Sequence, residues 1–507
     1  GLIVAMVVVL TTGCATVDFD YPKAPSRALE DTANTALGQS IGKLEDKPSD
    51  VAGFHLLLDG IDALAVRLFL ASRAERSLDA QYYLITDDHV GMLFLGALLQ
   101  AADRGVRVRL LLDDIQTQGL DHGLAALDSH ENLEVRIFNP FSGRKSRIGD
   151  GLTGFKRINR RMHNKSFTVD NQVTVIGGRN IADEYYGADL DMNFGDLDVV
   201  GLGPVVGDVS RMFDSYWNHR ASLPVPAFAR MPESSAEELD KLRAQIARTR
   251  EEVATTRYAD VLREELDEWV ISDSHLYTWA PYQLVFDSPD KIDASKAEEA
   301  ASIVEPLAAA VHEAERELLF ISPYFVPRKV GIESLQSLRQ QDIRVRVITN
   351  SLASTNHSVV HSGYAPSRKP LLKSGVELFE VRPDARVLGT DRVGTSTVPS
   401  SLHTKAFLVD RQTLFLGSFN LDPRSAHLNT ELGVIIESPD LAGRAVDWVD
   451  AALSKATYTV TLDPQGKLRW VGEGNGEPEV WTREPRAGFW RRFSVSLMKV
   501  LPIKGQL

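Results

Sequence analysis

A single cysteine, Cys14, stands in 507 residues. No disulfide can form within the chain, and no cysteine-rich metal site exists. Basic charge is in the minority, with 56 Lys and Arg against 69 Asp and Glu and a net charge of −13. That argues against a broad nucleic-acid surface, which needs clustered cations, though not against a local basic cleft. Long apolar stretches are also scarce. The visible run, Leu2–Leu10, is too short to cross a bilayer. Metal-ligand spacings are missing too. Asp113-Asp114 ends a strand-like run, where Asp commonly caps, and His357 and His361 lack a third ligand signature. What remains is ordinary globular composition, 43% hydrophobic and 25% charged, with length for two or three domains.

The setting of the cysteine is informative. Leu2–Leu10 is followed by Thr11-Thr12-Gly13-Cys14, and no charge appears before Asp18. This resembles the apolar region and lipobox of a bacterial lipoprotein signal, with Cys14 as the lipidated residue. Thr11 departs from the aliphatic residue favoured at that position. An initiator Met and a basic leader are also lacking, so the start of the chain is expected upstream. Residues 1–14 are read as signal and lipobox. Residues 15–50, polar with Pro and Ser, are read as a tether. Folding is expected to begin near Val51, with a helix carrying Leu57, Ile61, Leu64 and Leu68 on one face.

The dominant feature is a repeat. HNKSFTVD at His163–Asp170 returns as HTKAFLVD at His403–Asp410, shifted by 240 residues. Both copies read His-x-Lys-x-x-x-x-Asp. They continue in step to Gly177-Gly178-x-Asn180 and Gly417-Ser418-x-Asn420, with His and Asn 17 residues apart in each. Two extended copies in register are a strong signal. Ala74-Glu75-Arg76 likewise lies 240 residues before Ala314-Glu315-Arg316. Each is followed by an apolar strand, a helix-like stretch and another strand, ending in VRVRLLLDD or IRVRVITNS. The pattern predicts two copies of one α/β unit, each with a parallel or mixed sheet covered by helices. The halves are placed at 51–223 and 301–455. Residues 224–300 between them read as a helical linker or insertion, on the charged stretch AEELDKLRAQIARTREEV. Residues 456–507 form a C-terminal tail. In it, Phe489, Trp490, Phe493, Leu497, Met498 and Leu501 fall near one helical face, flanked by Arg491, Arg492 and Lys499. That helix either docks on a membrane or packs on the core. The loop Asp384–Ser401 before the second motif is a lid or a plain connector.

Each copy supplies an imidazole, an ammonium and an amide. Together, His163, Lys165, Asn180, His403, Lys405 and Asn420 suit a phosphodiester. The Lys and Asn side chains hold its two non-bridging oxygens. One His attacks phosphorus and the other protonates the leaving alkoxide. No metal or other cofactor is called for. On a strand, residues two apart share a face, so each His and its Lys would project together. Asp170 and Asp410, at the following turns, are expected to be structural. A His nucleophile needs an orienting carboxylate. Asp196 and Glu431 are the candidates in their respective halves, with Asp198 as a fallback. Tyr82, Tyr83 and Tyr324 are expected mostly in the core, with one of them in reach of the cleft.

The duplicated motif resembles the phospholipase D superfamily over most of Val51–Asp450. The surrounding stretches RINRRMHNKSFTVD, GGRNIADEYY, DLDVVGLGPVV and GSFNLDPRS are similar to its bacterial cardiolipin synthases of the C type. The resemblance implies two pseudo-symmetric α/β/α sandwich halves with a shared active site at their interface. It implies phosphatidyl transfer through a phosphohistidine, with His163 as nucleophile and His403 as general acid. The substrates implied are phospholipids, phosphatidylglycerol and optionally phosphatidylethanolamine, at a membrane surface, with no nucleic acid. The lipobox, a departure from the C-type pattern, points to the bacterial cell envelope, membrane-associated, as a periplasm-facing lipoprotein. A phospholipase D-type hydrolase, a nuclease of the superfamily and a non-catalytic lipoprotein are the alternatives. Sequence symmetry alone does not choose the nucleophile, and nothing in it sets the oligomeric state.

Overall fold

A computed structural model describes residues 17–44, 48, 50–142, 155–229, 231–268, 273–385, 398–474 and 477–498. Cys14 with its leader, and most of the loop between Asp384 and Ser401, lie outside these residues.

The repeat folds into two large sheets of matching order. The first runs Thr278–Ala280, Ala52–Leu57, Asp198–Leu202, Val173–Gly177, Ser166–Val169, Ser77–Tyr82, Arg107–Asp113, Leu133–Phe138, Ser222–Pro224. The second runs Tyr282–Phe286, Leu432–Glu437, Thr413–Gly417, Ala406–Val409, Glu317–Ile321, Arg344–Asn350, Glu377–Val381, Thr457–Leu462, Leu468–Gly474, Glu477–Trp481. In each sheet three central strands are parallel and the rest antiparallel. The middle parallel strands, Arg107–Asp113 and Arg344–Asn350, are rich in buried Val, Leu and Ile, as expected where helices cover both faces. One apolar core is continuous between the halves. It joins Val199, Met212, Phe213 and Trp217 of the first to Leu319, Leu408, Val434 and Val446 of the second. The chain is therefore the expected pair of α/β halves, sharing one interior.

The turn after each motif is built alike. Asp170 and Asn171, and Asp410 and Arg411, have φ between 50° and 56°. Two successive left-handed residues make the tight turn that suits the twist of a hairpin. The Asp170 carboxylate accepts N–H groups of Glu75, Arg76 and Ser77, and Asp410 those of Glu315, Arg316 and Glu317. Each Asp thus ties its turn to the start of the central strand, away from the His.

Several boundaries fall elsewhere than the sequence suggests. The helix expected from near Val51 starts at Gly60, capped by Asp59, because Ala52–Leu57 is taken up as a strand. The stretch read as a tether is packed where it is described. Leu37, Ile41 and Leu44 enter the first core, and the ammonium of Lys23 donates to the carbonyl of His219 at 2.6 Å. Polar composition concealed this because few side chains make the contact. Within the stretch read as a linker, helices Ser235–Ala254 and Arg257–Glu268 bury Leu242, Ile246, Tyr258 and Leu262 against the first half. The chain then passes from an edge strand of one sheet to an edge strand of the other at Pro281. The second unit therefore begins near Tyr282. In the C-terminal region, three strands from Thr457 to Trp481 extend the second sheet before the helix Phe489–Met498.

Candidate active site

The His-x-Lys pairs lie just before the strands Ser166–Val169 and Ala406–Val409, not within them. The residues ahead of each strand pair with the other half instead. Met162 bridges Thr430, and Ser400–Leu402 runs parallel to Asn193–Gly195. The backbone N–H of His163 donates to the Thr430 carbonyl, and that of His403 to the Gly195 carbonyl, both at 2.8 Å. Thr430 and Gly195 each precede one of the two candidate carboxylates. The result is an exchange. His163 Nδ1 lies 2.8 Å from Oε2 of Glu431, and His403 Nδ1 lies 2.5 Å from Oδ2 of Asp196. Asp198, the fallback, pairs with Arg67 and Arg179 and not with a His.

All of these groups are buried. Lys165 donates to its own motif's His163 carbonyl at 2.6 Å and lies over the Tyr83 ring. Lys405 donates to the His403 carbonyl and sits against the imidazole of His403. Asn180 donates to the Tyr185 hydroxyl at 2.9 Å. The buried amide oxygens of Asn180 and Asn420 find no partner among the described residues.

Electrostatics bind the halves into one site. Burial, with Lys165 beside it, pushes His163 down to about 4 against the pull of Glu431, and Lys405 across the site adds to this. Burial and Lys405 push His403 down to about 3 against Asp196, with Lys165 contributing from the other half. Lys405 falls to about 8, mainly through burial. Both carboxylates are held below their ordinary values despite burial, by the facing His and Lys. At neutral pH these shifts favour neutral imidazoles and ionised carboxylates. A histidine-selective NMR titration should find neither ring protonating between pH 8 and about 5. A ring titrating near the ordinary value of about 6.5 would contradict this.

Several residues here carry no signal in the motif itself. Ser418 and Ser425 donate to Glu431, at 2.5 and 2.7 Å. Ser418 was visible only as a break in the repeat, since Gly178 occupies the equivalent place. A Cβ at Gly178 would come within 2.2 Å of Oδ1 of Asp196, so the close approach requires glycine. Tyr83 meets the edge of His163, while Tyr185 and Phe194 enclose His403. Arg179 donates to the Asp196 carbonyl at 2.6 Å, holding that strand end in place. Tyr82 is core, bonded to Arg67. Asp113 accepts the N–H groups of Met162 and Ile115, and Asp114 that of Phe141, so both carboxylates secure backbone. His361 accepts from Arg368, and His357 packs on Tyr324.

Two buried His–carboxylate pairs are thus brought together with two Lys, a set of groups suited to phosphodiester chemistry. A family profile described as "Cardiolipin synthase, PLD-like domain" matches residues 69–217 and 307–453, once in each half. Cardiolipin synthase C of Escherichia coli (strain K12) is 41% identical over 455 residues, covering 89% of this chain and 95% of that protein. Cardiolipin synthase A of Pseudomonas fluorescens is 24% identical over 404 residues, covering 79% and 68%. Among solved structures, a phosphatidylserine synthase of Haemophilus influenzae shares the fold. It has a TM-score of 0.57 at 12% identity and covers 93% of this chain and all of that one. The chain belongs to the cardiolipin synthase family of phospholipase D-like proteins and is a phosphatidyltransferase of that family.

Proposed function

We propose that the enzyme makes cardiolipin by moving a phosphatidyl group from one phospholipid to the free headgroup hydroxyl of phosphatidylglycerol. The donor is a second phosphatidylglycerol, or phosphatidylethanolamine. The observation that carries the chemistry is the exchanged pair, His163 with Glu431 and His403 with Asp196. With Nδ1 engaged by a carboxylate, Nε2 of His163 is left for the reaction, while Nε2 of His403 lies 3.0 Å from Lys405 Nζ, the group placed to hold the substrate's charge beside it.

His163 Nε2 attacks phosphorus, and the bond from phosphorus to the headgroup oxygen breaks. His403 gives its proton to that oxygen, and the free alcohol departs. The bound phosphodiester anion supports this protonation by raising the pKa of His403 against burial and Lys405, which push it down. Lys165 and Lys405 stabilise the charge on the non-bridging oxygens. The amides of Asn180 and Asn420 assist, since turning the Asn180 amide over keeps its Tyr185 bond while aiming NH2 inward. In the second half-reaction His403 takes the proton from the acceptor hydroxyl, the new phosphorus–oxygen bond forms and His163 is released. One phosphodiester replaces another, so no nucleotide is consumed.

The setting fits a membrane-bound, periplasm-facing lipoprotein held through Cys14, with residues after it leading to the packed segment from Val17. Among the described residues, no helix is long and apolar enough to cross a membrane. The product test offers purified enzyme vesicles of phosphatidylglycerol with and without phosphatidylethanolamine. Cardiolipin is expected to dominate. Phosphatidic acid as the main product in every mixture would reassign the enzyme as a hydrolase.

A further inference from the structure

The C-terminal helix Phe489–Met498 has one packed face and one bare face. Val495, with Ala487 just before the helix, packs against Leu352. Phe489, Trp490, Phe493 and Leu497 are 66, 77, 52 and 57% exposed. No other Phe, Tyr or Trp among the described residues stands out as a large exposed apolar side chain. The three rings contact one another, forming a single patch. Val359, 37% exposed, lies on the neighbouring helix Ser358–Tyr364.

Charge follows the same segment. The chain as a whole is net −13, yet residues 482–498 hold Arg483, Arg486, Arg491 and Arg492 against Glu484 alone. Four positive charges less one negative leave this segment at +3. Aromatic side chains among cations suit the interface of an anionic bilayer, where rings sit at headgroup depth.

The helix is also joined to the site. Arg491 donates to the carbonyls of Ala353 and Thr355. That loop follows Asn350, whose amide donates to the Leu402 carbonyl at 2.8 Å and accepts the Leu402 N–H at 2.9 Å. Leu402 immediately precedes His403. In the same loop Asn356 accepts from Tyr324, whose phenol lies close enough to act electrostatically on Tyr185, the ring against His403.

We propose that the exposed face of helix Phe489–Met498 docks on an anionic lipid surface, and that Arg491 fixes its orientation relative to the cleft, so that docking presents the site to phospholipid headgroups. The inference deepens the phospholipid reading above and rests on it for the meaning of presentation, though not for binding. Net negative charge elsewhere would repel such a surface, so this basic, aromatic corner selects the approach.

The test uses the full chain and a triple variant, Phe489→Ser, Trp490→Ser and Phe493→Ser. Flotation with phosphatidylserine–phosphatidylcholine vesicles should show binding reduced about tenfold or more. Turnover of long-chain phosphatidylglycerol in vesicles should fall in parallel. Turnover of a short-chain phosphatidylglycerol below its micelle concentration should stay within about twofold, because the patch does not touch the reacting atoms. Arg491→Gln should keep vesicle binding while losing turnover on vesicles. Unchanged vesicle binding by the triple variant would overturn the proposal, as would equal loss of monomer turnover. A change from dimer to monomer without loss of binding would reassign the face to a second copy of the chain. A wild-type protein that binds vesicles but turns over no phospholipid would sink the functional reading and leave docking standing.

Discussion

Replacing either His163 or His403 with Ala is expected to lower phosphatidyl transfer by roughly 10⁴-fold or more, and the double variant should fall little further. The reason is that one half-reaction needs both rings. His163 must attack while His403 protonates the leaving oxygen, so removing either stops the same step. An activated phosphatidyl ester separates the roles, since a good leaving group needs no proton. With such a substrate His403→Ala should still build up an acid-labile phosphoryl label on His163, and His163→Ala should take up none. A label on His403 would reverse the roles. Substantial activity in either single variant, with the fold intact by circular dichroism, would end the shared-site reading.

The second large effect concerns the exchange of carboxylates. Asp196→Asn and Glu431→Gln should each cost roughly 10²- to 10⁴-fold, because an amide cannot hold the Nδ1–H tautomer and support the imidazolium as a carboxylate does. The informative measurement is a double-variant cycle. Asp196→Asn should be strongly non-additive with His403→Ala, the residue it touches in the other half. Glu431→Gln should be so with His163→Ala. The contrary result, stronger coupling of Asp196 with His163 and of Glu431 with His403, would mean that each half orients its own His. Glu431 should be the less tolerant of the two, since Ser418, Ser425 and the Asp287 contact to its backbone N–H are all organised around it.

How much of this was legible in the chain varied with range. The two His-x-Lys-x-x-x-x-Asp copies, their Asn residues and the strand within each motif could be read directly, though the His-x-Lys pairs stand just before that strand and not on it. These depend on spacing and on apolar alternation, which are local properties. Asp196 and Glu431 could be nominated because each heads an apolar strand after its Asn. Their partners could not be read. Pairing Asp196 with His403 joins residues 207 apart, and the contact exists only because Ser400–Leu402 lies beside Asn193–Gly195. A periodicity argument places a side chain on a face of its own strand and says nothing of which strand comes alongside. The same limit hid the strand Ala52–Leu57 and the edge strand Tyr282–Phe286. One was merged with the helix that follows, and the other lay within a stretch dominated by charged helices.

By itself, then, the amino-acid sequence determined that this protein is a duplicated α/β unit bearing two His-Lys half-sites, because register over 240 residues survives any rearrangement in space. It also determined that Asp170 and Asp410 stand at turns, since local backbone geometry is decided within a few residues. Only the tertiary structure decided that each His is served by the opposite half's carboxylate, that Lys165 and Lys405 act across one space, and that an aromatic helix is joined through Arg491 to the loop behind His403. Those facts depend on burial and on contacts between distant segments. Both arise when two sheets share one apolar core, and neither is written in any single stretch of chain.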